Sequence, residues 1–187
     1  MNLLIDMKKV YEYSHLGGSE ILHQRYPELE KEIDRIINSI KITKKTKVSK
    51  EKTMKGKLLY SPKLINELFM KGFRKKQWKE LRLSHDIEIN DRYTIKLKAF
   101  KQIDFSKNDV LVEVQLGKYA FMFYDMAKFQ YFYNEKKAEV GIEIVPTWAL
   151  HRQMSTGVSY GEQLIYDLGR LRRTFPAVPI KIILIDI

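Results

Sequence analysis

Asp104, Glu113 and Gln115 are the residues whose types and spacing could do chemistry together. They lie in Gln102-Ile103-Asp104-Phe105-Ser106-Lys107-Asn108-Asp109-Val110-Leu111-Val112-Glu113-Val114-Gln115, which reads as a β-hairpin with an acid on each arm. Carboxylates on adjacent strands can hold a divalent metal against a phosphate. A four-residue loop, Ser106 to Asp109, would set Phe105 opposite Val110, Asp104 opposite Leu111 and Gln102 opposite Glu113. Strand alternation then places Asp104, Leu111, Glu113 and Gln115 on one face. Val110, Val112 and Val114 fall on the other, against a helix layer. Asp104 and Glu113 become diagonal neighbours with Cα atoms roughly 7–8 Å apart. Both can reach one Mg²⁺ from there, since its oxygen ligands lie at about 2.0–2.1 Å. A three-residue loop would turn Asp104 to the wrong face. An exposed hairpin whose polar side meets water gives the same pattern, and the motif alone favours that plainer reading.

The elements that must position these residues follow from hydrophobic spacing. Ser19 to Ile40 is helical, with Leu22, Tyr26, Leu29, Ile33, Ile36, Ile37 and Ile40 at three- and four-residue steps. Pro27 marks a break near Tyr26 and the first turn of a second helix, beside Glu28 and Glu30. Residues 41–57 read as a basic loop or partly ordered arm. Ser61-Pro62 starts a helix through Phe69, ended near Gly72. Tyr93 to Ala99 alternates as a strand leading into the hairpin. Aromatics on several faces make Tyr119 to Tyr133 a largely buried helix, part of it a candidate subunit interface. Val140 to Val145 is a short apolar strand closed by Pro146. Gly161 to Arg173 is a helix with Leu164, Ile165, Leu168 and Leu171 on its apolar face. Pro179 to Ile187 is a strand buried on both faces. Strands alternating with helices around a central sheet indicate an α/β fold.

The chain has 187 residues, and 44% of them are hydrophobic. One domain with a substantial core is expected, spanning 1–187. No apolar run approaches the roughly 20 residues that cross a bilayer. Met1 to Lys9 is too short and too charged for a secretory apolar segment. Cysteine is absent, which excludes disulfides and thiolate metal sites. A cytoplasmic protein without organic cofactor is the expectation, with no membrane partner.

The formal charge of +11 calls for a polyanionic partner. Lys41, Lys44, Lys45, Lys47, Lys50, Lys52, Lys55 and Lys57 crowd one segment. Lys71, Arg74, Lys75, Lys76, Lys79 and Arg82 form a second group, and Arg170, Arg172 and Arg173 a third. Ordinary solvation explains any single lysine, but clusters with a large net excess favour nucleic-acid phosphates.

Asp104…Glu113-x-Gln115 resembles the PD-(D/E)xK nuclease motif with glutamine where lysine is usual. The chain resembles more specifically the type II restriction endonucleases of the BstYI and BglII kind, BstYI above all. The matching stretches are Tyr13-Ser14-His15-Leu16; Ser49-Lys50-Glu51-Lys52-Thr53 with Leu59-Tyr60-Ser61-Pro62; Trp78-Lys79-Glu80; Gln102 to Tyr119; and Met154 to Glu162. They cover nearly the whole chain in the same order. The motif's proline is replaced by Ile103. The resemblance implies a restriction-endonuclease-like core, a central mixed β-sheet flanked by helices. It makes Asp104 and Glu113 ligands of Mg²⁺. Gln115 would orient the attacking water or a phosphate oxygen, and being uncharged it leaves more of the water activation to the metal. Glu80 matches a further active-site position, but a surface ion pair with Lys76, four residues earlier, is about equally supported. Lys118 could touch a phosphate or a base edge.

Met154-Ser155-Thr156-Gly157-Val158-Ser159-Tyr160 resembles the major-groove reading loop of those enzymes. Ser155, Thr156 and Ser159 suit base-edge contacts, and Lys50 and Lys52 suit phosphates. The same loop could instead cap the following helix, with Ser159 and Glu162 as a capping box; the two roles are compatible. His15, His23, His85 and His151 lack metal-site spacing and read as structural or surface residues. The implied protein is a homodimeric, Mg²⁺-dependent endonuclease. Its substrate would be double-stranded DNA at a palindrome containing GATC, such as purine-GATC-pyrimidine, cut to leave 5′ overhangs. Two rivals remain: a repair or recombination nuclease without sequence specificity, and a DNA-binding protein that does not cut.

Overall fold

The computed structural model describes residues 4–42, 45–89, 96–172 and 174–187. The chain opens with β1 (Ile5–Asp6) and β2 (Lys8–His15), followed by α1 (Gly18–Arg25) and α2 (Pro27–Ser39). Pro27 starts α2 as its spacing predicts, and Leu29, Ile33, Ile36 and Ile37 form its buried stripe. The basic segment then forms short ladders: β3 (Lys41–Ile42) pairs with β1, and β4 (Lys47–Val48) with β5 (Leu58–Leu59). Next comes α3 (Pro62–Lys75), where the Ser61 hydroxyl accepts from the Leu64 amide as an N-cap. The helix does not stop at Gly72, as the sequence suggested. A Cβ at Gly72 would lie 2.9 Å from the Ile36 side chain, so this glycine serves the close approach of α2 rather than termination.

β6 (Lys79–Ile87), β7 (Leu97–Lys107) and β8 (Val110–Val114) follow, then α4 (Tyr119–Asn134), β9 (Val140–Pro146), α5 (Trp148–His151), α6 (Gly161–Leu171) and β10 (Ile180–Asp186). The proposed strand at Tyr93 to Ala99 lies partly outside the described residues, as do Lys44 and Arg173 of the basic clusters. Six strands form one mixed sheet in the order β2-β10-β9-β8-β7-β6. Its centre, β10-β9-β8, is parallel, and its flanks are antiparallel. This is the expected α/β fold with a mixed sheet flanked by helices.

Each face carries its own core. Val110, Val112, Val114, Val140, Ile142 and Ile144 pack with apolar residues of α1, α2 and α3. Leu111, Val145, Ile180, Ile182 and Leu184 pack under Met122, Met126, Phe129 and Phe132 of α4 and Leu164 and Leu168 of α6. The aromatic helix is therefore buried along one stripe, while Phe121, Tyr124 and Tyr133 are exposed. Parallel strands covered on both faces read as continuous apolar runs, which makes a charged residue within them conspicuous.

Candidate active site

The hairpin is tighter than its sequence suggests. Lys107 pairs with Val110, Ser106 with Leu111 and Phe105 with Val112. Only Asn108 and Asp109 remain in the turn, both with positive φ, 46° and 62°. Such a two-residue turn suits the twist of a hairpin, and Asn and Asp tolerate the left-handed region. The predicted four-residue loop and its Gln102–Glu113 pairing are corrected accordingly; Gln102 instead pairs with Arg82 on β6. The change of register is two residues, so Glu113 keeps its face. The ladder ends at Phe105–Val112, one residue short of Asp104 and Glu113 on the two strands. The Asp104 amide donates to Glu113 Oε1 at 3.4 Å.

A second irregularity exposes Asp104. Lys79 pairs with Ser106 but Leu81 pairs with Ile103, so Glu80 faces both Asp104 and Phe105. This β-bulge shifts the alternation: Ile103 enters the core beneath α4, whereas Phe105 enters the opposite core. Asp104 and Glu80 are both exposed and line a cleft of about 170 Å³ with Asn66, Met70, Arg74 and Val114. Glu80 does not stand one helical turn from Lys76, because α3 ends at Lys75 and Glu80 lies in β6.

Glu113 lies deeper, 3% exposed, on the face covered by α4. Lys128 Nζ sits 2.5 Å from Glu113 Oε1 and 2.7 Å from Asp125 Oδ1. Gln115 Nε2 donates to Asp125 Oδ2 at 2.6 Å. A Cβ at Gly117 would lie 2.6 Å from Gln115 Oε1, so the glycine leaves room for that amide. On the neighbouring parallel strand Glu143 pairs in register with Glu113. It is fully buried, and a hydrogen bond with the Asp125 carboxyl favours its protonated form. Burial pushes Glu113 well above the usual carboxylate range, helped by Asp104 and Asp125 and opposed by Lys128. Burial raises Asp125, and burial with Asp125 and Glu113 adding to it raises Glu143 well above the usual carboxylate range. Burial alone would lower the Lys128 ammonium, but Glu113 and Asp125 outweigh it and hold it above the ordinary lysine range.

Asp104, Glu113, Gln115 and Glu80 are thus brought to one end of the hairpin. Asp125, Lys128 and Glu143 also belong there and were not anticipated. Their signal was a charged residue within an apolar strand and an acid–lysine pair three apart in an aromatic helix. The loop Met154 to Tyr160 lies alongside. The Ser159 amide donates to the Gly117 carbonyl at 2.8 Å, tying it to the end of the motif. Ser159 and Ser155 are buried, and Thr156 is exposed. Glu51 accepts from both the Thr156 amide, at 3.0 Å, and its hydroxyl, at 2.8 Å, while Lys47 donates to the Ser155 hydroxyl. The predicted capping box is absent: Tyr160 occupies the N-cap of α6 without a side-chain bond, and Glu162 accepts from the Trp148 amide. Lys118, at the N-cap of α4, and Lys50 and Lys52 are exposed. The histidines serve local structure: buried His15 bonds the Pro176 carbonyl and His151 the Val158 carbonyl.

The model of the family described as "Restriction endonuclease BglII/BglIII" matches residues 10–185. The chain belongs to the BglII/BglIII restriction endonuclease family. Among relatives in this family, the type II restriction enzyme BglII of Bacillus subtilis is 29% identical over 125 residues. That match takes in 67% of this chain and 49% of the relative, so the chain spans about half the length of the enzyme it matches. The fold agrees with the crystal structure of BglII complexed with a DNA 16-mer, at a TM-score of 0.73 and 24% identity. The match covers 96% of this chain and 78% of that one. Free BglII matches at a TM-score of 0.63 and 22% identity, over 96% and 79% of the two chains. Among the described residues no helix is long and apolar enough to cross a membrane.

Proposed function

We propose that this BglII/BglIII family member is a Mg²⁺-dependent type II site-specific deoxyribonuclease acting as a homodimer on duplex DNA. The observation that carries the reading is the Asp104 amide on the Glu113 carboxylate at the end of a hairpin whose neighbouring bulge leaves Asp104 and Glu80 in an open cleft. The donor set fits Mg²⁺. Among the described residues no three acidic or histidine side chains form a ready-made metal cage. Mg²⁺ commonly takes one or two protein carboxylates and completes its shell with water and phosphate oxygens. Asp104 and Glu113 would hold it. When bound, it would lower the pKa of an attacking water and offset charge building on the phosphate. Gln115, in the place of the superfamily's lysine, orients the water or a phosphate oxygen through its amide. Glu80 faces the same cleft and positions the water shell. Lys118 at the motif's end and Lys50 and Lys52 on the basic segment meet phosphates, sites on which affinity depends on salt.

The substrate proposed is a palindrome containing GATC, purine-GATC-pyrimidine in the BstYI-like reading, cut to leave 5′ overhangs. A two-fold dimer matches such a site, one subunit cutting each strand. Of the three loop residues Ser155, Thr156 and Ser159, only the exposed Thr156 is open to base edges, Ser155 and Ser159 being buried, and BglII crystallised with a DNA 16-mer supports DNA as the partner. The test is digestion of methylation-free plasmid DNA with Mg²⁺, followed by sequencing of the ends. Discrete fragments with GATC-centred overhangs are expected. A smear would replace the reading with a non-specific nuclease, and absence of cleavage with both Mg²⁺ and Mn²⁺ with a non-cutting DNA-binding protein.

A further inference from the structure

We infer that Glu51 fixes the hydrogen-bond polarity of Thr156, so that this hydroxyl meets DNA as an acceptor and selects a base with an amino group in the major groove. The inference rests on the base-reading role proposed above for residues 154–160 and deepens it. Glu51 stands in an unfavourable place, the one acid among Lys47, Lys50, Lys52, Lys55 and Lys57. A carboxylate on a surface that meets phosphates weakens their binding. Balancing the lysines does not explain it. Its Oε2 accepts from the Thr156 amide at 3.0 Å and from the Thr156 hydroxyl at 2.8 Å. These two bonds come first in holding Glu51 below the usual carboxylate range, and Lys47 comes last.

Both partners are held in place by the backbone. Glu51 lies in the connection between β4 and β5, where its amide donates to the Ser49 hydroxyl at 3.2 Å. The Ser49 amide donates to the Lys57 carbonyl and the Gly56 amide to the Ser49 carbonyl, each at 2.9 Å. Past β5, the Tyr60 amide donates to the Gln153 carbonyl at 2.9 Å, and Lys47 donates to the Ser155 hydroxyl. The β4–β5 hairpin is thereby fastened to the residues leading into Thr156, which is itself exposed.

A hydroxyl has one proton and two lone pairs, and a carboxylate only accepts. The Thr156 proton is therefore spent on Glu51, and lone pairs are what it offers outward. Adenine N6 and cytosine N4 present donors in the major groove, whereas guanine O6 and thymine O4 present acceptors. The locked hydroxyl bonds A or C on the strand it faces and sets lone pair against lone pair at G or T. A free hydroxyl could turn its proton outward and accept all four. Glu51 is a positioning residue, acting through Thr156.

The test is selection from a pool of randomised DNA duplexes, by binding in Ca²⁺ and by cleavage in Mg²⁺, for wild type, Thr156→Val, Glu51→Ala and Glu51→Gln. Wild type should require A or C at one position, which Thr156→Val identifies by losing the requirement. Glu51→Ala should admit G and T at that same position, with discrimination falling about tenfold and the rest of the profile kept. Glu51→Gln retains an acceptor oxygen and should keep the requirement. On a duplex carrying the selected site, an analogue of that base without its amino group should weaken wild-type binding about tenfold and leave Thr156→Val little changed. This arm needs no change at Glu51, and wild-type binding that does not weaken overturns the inference. So does relaxation by Glu51→Ala at a different position, or a uniform loss of affinity with the profile intact. Selection by wild type that neither Glu51→Ala nor Thr156→Val alters removes only this inference. No selection by wild type in either format removes the site-specific reading as well.

Discussion

Two lysines in this molecule are each buried between two acids, on opposite faces of the same sheet, and they live in different electrostatic states. Lys181 of β10 lies 2.8 Å from Glu12 and 2.7 Å from Glu30. Burial would raise both acids, but Lys181, with Lys9 assisting at Glu12 and His23 at Glu30, holds them below the usual carboxylate range. Lys128 of α4 lies between Glu113 and Asp125, and both of these are raised. Glu12 and Glu30 keep partial access to solvent, their side chains 33% and 20% exposed, whereas Glu113 and Asp125 are 4% and 2% exposed. The Lys181 group is balanced and joins β2 and β10 to α2. The Lys128 group has too few cations for its acids, with Glu143 adding another carboxyl and Asp104 a charge at the cleft. A surplus of buried acid is poor structural glue, and it is what the proposed metal site would require.

The largest effect that sharpens this contrast is on cleavage. Asp104→Asn or Glu113→Ala should reduce DNA hydrolysis at least about a hundredfold while leaving DNA binding largely intact. Glu12→Ala should leave the rate unchanged. Timed plasmid digests and gel-shift assays on the same preparations measure both, and cutting by Asp104→Asn at the wild-type rate would remove that acid from the active site.

The next effect is on stability. Lys128→Met strands buried acids and should cost on the order of 3 kcal/mol in urea unfolding at neutral pH, and Lys181→Met, whose acids reach solvent, should cost less. Adding Mg²⁺ should restore part of the loss only in Lys128→Met, because a ligand that binds the folded state stabilises it. Equal recovery in both variants would erase the distinction between the two groups.

Smaller is the expected effect of Gly117→Ala. Its new Cβ would stand 2.6 Å from Gln115 Oε1 and displace the amide. Cleavage should fall by about tenfold to a hundredfold through misplacement, with the unfolding midpoint little changed. A wild-type rate would show that the Gln115 position does not matter to hydrolysis.

The smallest effect concerns pH. A folded state that raises Glu143 above its ordinary 4.5 binds a proton that the unfolded chain has released, so stability falls as pH rises from about 4.5 through the raised value. Glu143→Gln should remove part of that slope, gaining on wild type as pH rises above about 4.5. Glu12 and Glu30 have the opposite sign. Their depressed values contribute stability above the ordinary carboxylate range that is lost as pH falls through the folded values. Urea midpoints should therefore show the Glu143→Gln difference developing as pH rises above about 4.5 and the Glu12→Gln difference shrinking as pH falls below it, and parallel curves would contradict the assignment.

The same contrast separates what was legible in the sequence from what was not. The α2 stripe, the Pro27 break, and the strands from Val140 and from Pro179 follow from periodicity and punctuation, because each is set by burial of its own residues. β2 and β6 escaped notice. They are the sheet's edge strands, and their sequences mix charges into the alternation. Asp104 and Glu113 were visible as a pair because hairpin neighbours are near in sequence. Their register was not, since it depends on Asn108 and Asp109 accepting positive φ. Asp125, Lys128 and Glu143 meet Glu113 only when α4 lies across β8 and β9, and no local spacing encodes that meeting. Ser159 and Glu162 have the spacing of a capping box, yet Glu162 goes to Trp148, a tertiary contact overriding a local one.

The most direct measurement is anomalous scattering from Mn²⁺ in crystals of the protein bound to a duplex containing its site. The account predicts a peak bridged by the carboxylates of Asp104 and Glu113 beside a phosphate. A peak elsewhere, with Asp104 touching only solvent, would contradict it.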